Sequence, residues 1–392
     1  MEVVSSTVDV NEDIPGGVRF SPDGLCVLTS VRDELRLYNT SLVGSSWNAA
    51  LTCKGGDVVQ SFDWYPHMDS QNPSTCCFVG TSREQPVHLY DAYTGKVRAT
   101  YSPYSSERDE PISPLIGIFD PSGSRLICGG FSRDRFIQIF DISRPGKDSL
   151  CCYKLGKTRR SQDGQKGLVS SISCATSSSN ILAVGTYSPG SIYLYDTRVS
   201  GDNEVSVVLH GGISVVGHGK RVKRFASTDD DEDIFSHARS RWFQKRAQTG
   251  ITQLHFCHDD HTLLSASRKS DAVLQWDIRM MTCPNDAIRP ISGVKSYAVN
   301  HNTNQRIGFQ VHEDRLYIGD RDKCVKVYDV ASSDLLETIA IPDVVNGVSI
   351  HSDFMAVSLG ERTFEDEKMV CQGRIELWRR RRQPHCSTAL QS

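Results

Sequence analysis

Nowhere along the 392 residues does an apolar run approach the roughly 20 that a membrane-spanning helix needs. The opening stretch, Met1 to Asp13, lacks the basic start and apolar centre of a secretory leader. The expectation is a chain that has no membrane partner. No C-x-x-C occurs among the 13 scattered cysteines, whose odd number includes adjacent pairs at Cys76-Cys77 and Cys151-Cys152. That pattern argues against a zinc module or a disulfide framework and for reduced thiols, many of them small hydrophobes in apolar runs. Neither sign of charge prevails: 44 Lys+Arg stand against 47 Asp+Glu, a net charge of -3. Any attraction to nucleic acid must therefore come from uneven distribution of the cations.

Catalytic signatures are missing too. No glycine-rich phosphate loop leads from a strand into a helix, and no G-x-S-x-G elbow occurs. His255, Cys257, His258 and His261 come nearest to a metal set, but strand alternation and an intervening turn send their side chains apart. The expectation is no enzyme, no catalytic residue, no metal and no cofactor.

What the chain has is a repeat. Alternating apolar and polar residues closed by an aromatic, usually followed by Asp, recur at Leu35 to Asn39, Val87 to Asp91, Ile137 to Asp141, Ile192 to Asp196, Leu274 to Asp277, Val325 to Asp329 and Ile375 to Trp378. These seven copies are spaced about 50 to 55 residues apart, with one gap of about 80, against a WD-repeat norm of roughly 40 to 45. Period two puts the apolar residues of each copy on one face of a strand and excludes a helix. Upstream lie hairpin turns such as Phe20-Ser21-Pro22-Asp23-Gly24 and Phe119-Asp120-Pro121-Ser122-Gly123. Four antiparallel strands per copy, unable to bury their faces alone, stack into a ring. The fold class is all-β, a seven-bladed WD-repeat β-propeller over residues 1–378. Its closing outer strand is expected at Val4 to Val10 rather than in the tail 379–392, which opens on Arg379-Arg380-Arg381-Arg382. A pair of β-sandwiches is the alternative architecture, disfavoured by seven evenly spaced copies. The recurrent Asp91, Asp141, Asp196, Asp277 and Asp329 read as loop-fixing residues.

The long gap holds a charged insertion, 216–249, with Lys220, Arg221, Lys223 and Arg224, an acidic run from Asp229 to Asp233, then Arg239, Arg241, Lys245 and Arg246. So few apolar residues cannot form a core, and disorder is expected. Basic residues also recur in the loop joining the second and third strands of each blade: Arg32, Arg83, Arg133, Arg135, Arg268, Lys269, Arg321, Lys323 and Arg362. Alternate loops of an antiparallel blade emerge at one end, so these share a face with the blade-entry loops carrying Arg159, Arg160 and Lys166. Tyr187, Phe131 and Phe364 could add stacking platforms for unpaired bases. Acidic neighbours Asp33, Glu84, Asp134 and Asp322 leave open a plain reading of solvated loops with local ion pairs.

Several longer words go beyond the generic repeat: Asp63-Trp64-Tyr65-Pro66, Thr81 to Ala99, Ser143 to Asp148, Ser267-Arg268-Lys269-Ser270-Asp271, Thr303-Asn304-Gln305-Arg306-Ile307 and Asn346 to His351. In these the chain resembles the telomerase Cajal body protein family. The resemblance implies a nuclear RNA-binding scaffold that recognises the CAB box of small Cajal body RNAs, and telomerase RNA where that carries the motif. It further implies delivery of those particles to Cajal bodies, in support of telomere maintenance. Implied partners are box H/ACA particle proteins such as dyskerin, with the cytosolic chaperonin for folding. Candidate RNA contacts are Arg83, Arg133, Arg268, Lys269, Arg306 and Arg362. Set against that family, the expectation is that its long N-terminal extension is missing or reduced to about a dozen residues and that the insertion near Lys220 departs from the family pattern. Lys220, Arg221, Lys223 and Arg224 are candidates for nuclear localisation, as is the basic tail. A protein-only WD-repeat adaptor is the alternative function.

Overall fold

The computed structural model describes residues 1–7, 10–11, 13–41, 47–155, 165–177, 180–188, 190–198, 205–210, 213–215, 249–281, 295–365 and 368–380. Each repeat builds one antiparallel blade, written here from the inner strand outward. Blade 1 is Val18–Phe20, Cys26–Val31, Glu34–Asn39 and Leu51–Lys54; blade 2 is Val59–Trp64, Cys77–Ser82, Val87–Asp91 and Val97–Tyr101. Blade 3 is Ile116–Phe119, Arg125–Gly129, Phe136–Asp141 and Cys151–Lys154; blade 4 is Val169–Cys174, Ile181–Thr186, Ile192–Asp196 and Val205–His210, with Ile213–Val215 added outside. Blade 5 is Thr249–Phe256, Thr262–Arg268, Ser270–Asp277 and Lys295–His301, and blade 6 is Phe309–His312, Arg315–Asp320, Cys324–Asp329 and Leu335–Ala340. Blade 7 is Val345–His351, Phe354–Leu359 and Lys368–Arg379, completed by Glu2–Ser6 from the other end of the chain.

The seven-bladed propeller is thus closed by an N-terminal outer strand, as the repeat pattern implies, though shifted toward the terminus. Glu2 and Val3 pair with Arg379 and Trp378, Ser5 and Ser6 with Leu377 and Glu376, and Val10–Asn11 makes a separate short pairing with Gly373 and Gln372. Thr7 seals the seam: its N–H donates to Ile375 O at 2.9 Å, and its Oγ1 accepts from Ile375 N at 3.0 Å. Arg379 is part of the blade rather than of a tail, with its guanidinium 5.4 Å from the Phe354 ring centre.

Packing between blades shows why the ring must close. The described residues form seven apolar clusters, each shared by two adjacent blades, in the cyclic order 1/2, 2/3, 3/4, 4/5, 5/6, 6/7 and 7/1. Strand alternation sends successive side chains to opposite neighbours. Phe78 packs in the 1/2 layer, whereas Cys77 and Val79 pack in the 2/3 layer; Val87 and Leu89 go to 2/3 and Tyr90 to 1/2. The single apolar face expected of each strand is therefore corrected to two, because every blade is sandwiched. The closing aromatics are all core residues, Trp276 with its indole N–H donating to Ser265 Oγ at 2.9 Å.

Side chains also cross-link the inner strands around the axis. Ser349 Oγ accepts from Phe20 N at 3.0 Å, Ser171 Oγ from Leu254 N at 2.8 Å and Ser173 Oγ from Phe256 N at 3.1 Å. Gln253 both accepts from Phe309 N at 3.0 Å and donates to Phe309 O at 2.7 Å. These bonds satisfy backbone groups that no sheet partner reaches on the channel side and fix the blades in register. No helix among the described residues is long and apolar enough to cross a membrane.

Candidate functional site

The loop joining the second and third strands of each blade meets the entry loop to the same or the next blade at one end of the ring. Backbone bonds tie them: Gly55 N to Asp33 O at 2.6 Å, Leu155 N to Arg135 O at 2.8 Å, Tyr187 N to Leu168 O at 2.9 Å and Gly360 N to Val344 O at 3.0 Å. These loops form the face on which most of the candidate cations lie. The recurrent aspartates fix turns at the opposite end. Asp91 accepts from Tyr93 and Thr94 N–H, Asp196 from Arg198 N–H and Asp277 from Arg279 N–H, and hydrogen bonding holds these carboxyls low against the opposing effect of burial.

Ion pairing divides the basic face unevenly. Arg32 Nε lies 3.2 Å from Asp13, Arg321 Nη2 lies 2.9 Å from Glu361, and Arg83 faces Glu84 across 3.6 Å. Arg108 bridges Glu110 at 2.8 Å and Asp134. Asp134 is thereby neutralised, and its neighbour Arg133 is exposed, with no ion pair to a described residue.

Blade 5 holds the most ordered arrangement. Arg268 ends the second strand, Lys269 makes the tight turn at φ +50°, and Ser270 starts the third strand. The Arg268 guanidinium lies 4.5 Å from the centre of the Tyr187 ring of blade 4, a cation–π contact that leaves the planar fork preorganised. Gly250 makes room for it. With φ at +79°, a Cβ there would come within 2.9 Å of Tyr187 O and 3.1 Å of the Arg268 guanidinium. Lys269 projects outward, exposed, beside this pair.

Other candidates fall elsewhere. Arg362 lies not in a loop but in a strand, Arg362–Glu365, hairpinned with Lys368–Arg379; its side chain, like that of Phe364, lies outside the described set. Phe131 is no platform, because it is buried in the 2/3 layer against Phe136 at 5.0 Å. Lys220, Arg221, Lys223, Arg224, Arg159, Arg160 and the insertion 216–248 lie outside the described residues.

Arg306 lies in the blade 6 entry loop. Its electrostatic neighbours are Tyr187 of blade 4 and Arg19 of blade 1. Crowding by the ring pulls its pKa down, Tyr187 opposes this, and Arg19 adds to it. The Arg306 side chain is exposed. Arg19 sits between the core residues Val18 and Phe20 on the inner strand of blade 1 and pairs with Asp63 of blade 2, both lining one cavity. Burial pushes the Asp63 carboxyl up even though Arg19 and the Phe119 N–H, 3.1 Å away, pull it down. His255, on the inner strand of blade 5, packs edge-on to Phe309 with ring centres 6.4 Å apart. Burial, then His258 and Arg19, drive its imidazole down to about 4, so it is neutral at pH 7. Cys257 meanwhile belongs to the 5/6 core and His258 is exposed, so the histidines and cysteine diverge. Arg19 and His255 went unread as channel groups; the signal was a polar residue flanked by core residues on an inner strand.

The chain is 28% identical over 390 residues to the mouse protein named Telomerase Cajal body protein 1 (Mus musculus), covering 94% of this chain and 63% of that one. The chain is similar to the telomerase Cajal body proteins. It spans about three fifths of the length of the curated Telomerase Cajal body proteins it matches. It is also 26% identical over 374 residues to a Schizosaccharomyces pombe protein named Guanine nucleotide-binding protein negative regulator 1, covering 89% of this chain and 80% of that one. No protein-family model matches. Among solved structures, the Cps50 (Swd1) β-propeller domain of Myceliophteria thermophila superposes with a TM-score of 0.60 over 97% of this chain and 99% of that one. At 13% identity that likeness concerns the fold alone. The similarity to the Telomerase Cajal body proteins runs over 94% of this chain and so across the blades of its WD-type propeller.

Proposed function

We propose that the protein is a nuclear RNA-binding scaffold that grips small Cajal body RNAs, and telomerase RNA where that carries a CAB box, and directs their particles to Cajal bodies. Box H/ACA proteins such as dyskerin are the partners this reading requires, with the cytosolic chaperonin assisting folding. No catalytic step is assigned to it. The observation that carries the reading is the Arg268 guanidinium stacked on Tyr187, with Lys269 projecting beside it. Phosphates take the forked donors of arginine bidentately, and an aromatic beside them offers a surface for an unpaired base worth about 1–3 kcal/mol. Exposed Arg133 on blade 3, and Arg83 on blade 2 with only a long contact to Glu84, extend this track.

The experiment is crosslinking of the tagged protein in its own cells, followed by sequencing of bound RNA, beside an Arg268→Ala, Lys269→Ala variant. Enrichment of box H/ACA or box C/D small RNAs at hairpin loops, abolished in the variant, supports the scaffold and its face. A second reading, a protein-only adaptor, draws on the Schizosaccharomyces pombe relative, whose name describes a negative regulator of a guanine nucleotide-binding protein. Absence of enriched RNA would make that reading the better one.

A further inference from the structure

Four serines in the chain precede a proline: Ser21, Ser102, Ser113 and Ser188. Ser21 is buried, and Ser102 and Ser113 are half-buried. Ser188 alone among them is exposed, and its hydroxyl makes no hydrogen bond to a described residue. It lies in the turn after Ile181–Thr186, the second strand of blade 4, on the cation-bearing face. Cations approach that turn from two sides. From blade 5, the Arg268 guanidinium stacks on Tyr187, the residue before Ser188. Arg268 Nη2 and the carbonyl oxygen of the Tyr187–Ser188 peptide lie 3.1 and 2.9 Å from one point, the place that a Cβ on Gly250 would take. Lys269 is exposed beside Arg268. From the other side, the entry loop of blade 4 passes so close that a Cβ on Gly167 would collide with Ser188 O. The residue before it, Lys166, is exposed and makes no ion pair with a described residue.

We propose that Ser188 is a phosphorylation site for a proline-directed protein kinase, and that Arg268, Lys269 and Lys166 capture its phosphate and so switch off the RNA grip of this face. The serine hydroxyl oxygen attacks the γ-phosphorus of ATP and the bond to the β,γ-bridging oxygen breaks. ADP leaves, and the hydroxyl proton passes to a base of the kinase. The product carries about −1.5 to −2 charges at pH 7 and three acceptor oxygens. Those oxygens suit the guanidinium fork of Arg268 and the two ammonium groups, as the phosphates of a nucleic acid do. Tethered one residue from Tyr187, the phosphate competes with RNA as an intramolecular ligand. The switch rests on the loop-face reading of RNA binding, whereas the modification and the capture of its phosphate do not.

The test uses the full chain with and without phosphoserine installed at position 188, each also in an Arg268→Ala, Lys269→Ala background. Mass spectrometry of the protein from its own cells, with phosphatases inhibited, is expected to find phosphate on Ser188, and its absence overturns the proposal. Phosphorus NMR across pH reads the capture without RNA. Nearby cations favour the dianion, so the second pKa of the phosphate, about 6 when unpaired, should lie lower in the parent and return in the double variant. Equal values in the two backgrounds overturn the capture. Affinity for a box H/ACA hairpin should weaken at least tenfold when Ser188 carries phosphate, while Ser188→Ala binds as the unmodified parent does. Hairpin binding that phosphate leaves unchanged overturns the switch and spares the scaffold reading. An unmodified chain that binds no hairpin brings down the scaffold reading and the switch together, and the spectra then decide the capture by themselves.

Discussion

A guanidinium's behaviour on this ring depends on what lies across from it. Arg268 and Arg321 occupy equivalent turns in blades 5 and 6, yet one stacks on Tyr187 and the other is taken up by Glu361. Exposed pairs of the latter kind contribute about 0–1 kcal/mol to stability, but they remove a cation from ligand binding. His255 gives a residue-scale prediction. Its folded value near 4 lies below the unfolded value near 6.5, so between those two pH values the unfolded chain binds a proton that the folded chain does not. Stability from this group is therefore complete above about pH 6.5 and falls as pH drops toward 4, by about 3 kcal/mol at most. His88 and His301, also lowered by burial, act in the same direction. Urea midpoints for His255→Gln should consequently fall less steeply with acidification than those of the parent. Identical slopes would show that the imidazole is not held neutral in the channel.

The third strand of each blade was the element most legible in the sequence, because period two and a closing aromatic recur seven times. What that pattern could not reveal was the second buried face, since whether His88 or Tyr90 meets core depends on a blade some 50 residues away. The Tyr187–Arg268 stack was hidden for the same reason: each residue is visible as a loop cation or aromatic, but their meeting is a property of adjacent blades. Phe131 was misread because its loop folds back onto Phe136. Closure by the N-terminal strand was readable from the repeat count, since the seventh copy is followed by the run Arg379 to Arg382, which is poorly suited to a ladder. Its bounds were not, because Thr7 and Trp47, whose N–H donates to Ser6 O at 3.0 Å, settle the register. Deleting residues 1–6 removes that seam and exposes the edge of Lys368–Arg379, with an expected destabilisation of roughly 3–5 kcal/mol. A melting temperature lowered by several degrees, and restored by adding the excised peptide, is the expected outcome. Unchanged melting would mean the strand does not close the ring.

As a whole, the molecule is a cyclic stack of seven apolar layers around a channel, and its nearly neutral net charge is partitioned by position. Fixed aspartates hold the turns at one end, while cations gather at the other, with Arg32 and Arg321 paired to Asp13 and Glu361. If this face binds RNA as proposed, affinity for the polyanion rests on released counterions and on a few stacked bases. The most direct measurement is the salt dependence of binding to a box H/ACA hairpin, for the parent and for the Arg268→Ala, Lys269→Ala variant. The account predicts a linear fall of log affinity with log salt, weaker binding by the variant and a slope smaller by about 0.7 for each phosphate that the variant no longer neutralises. Equal slopes and affinities for the two proteins would contradict it.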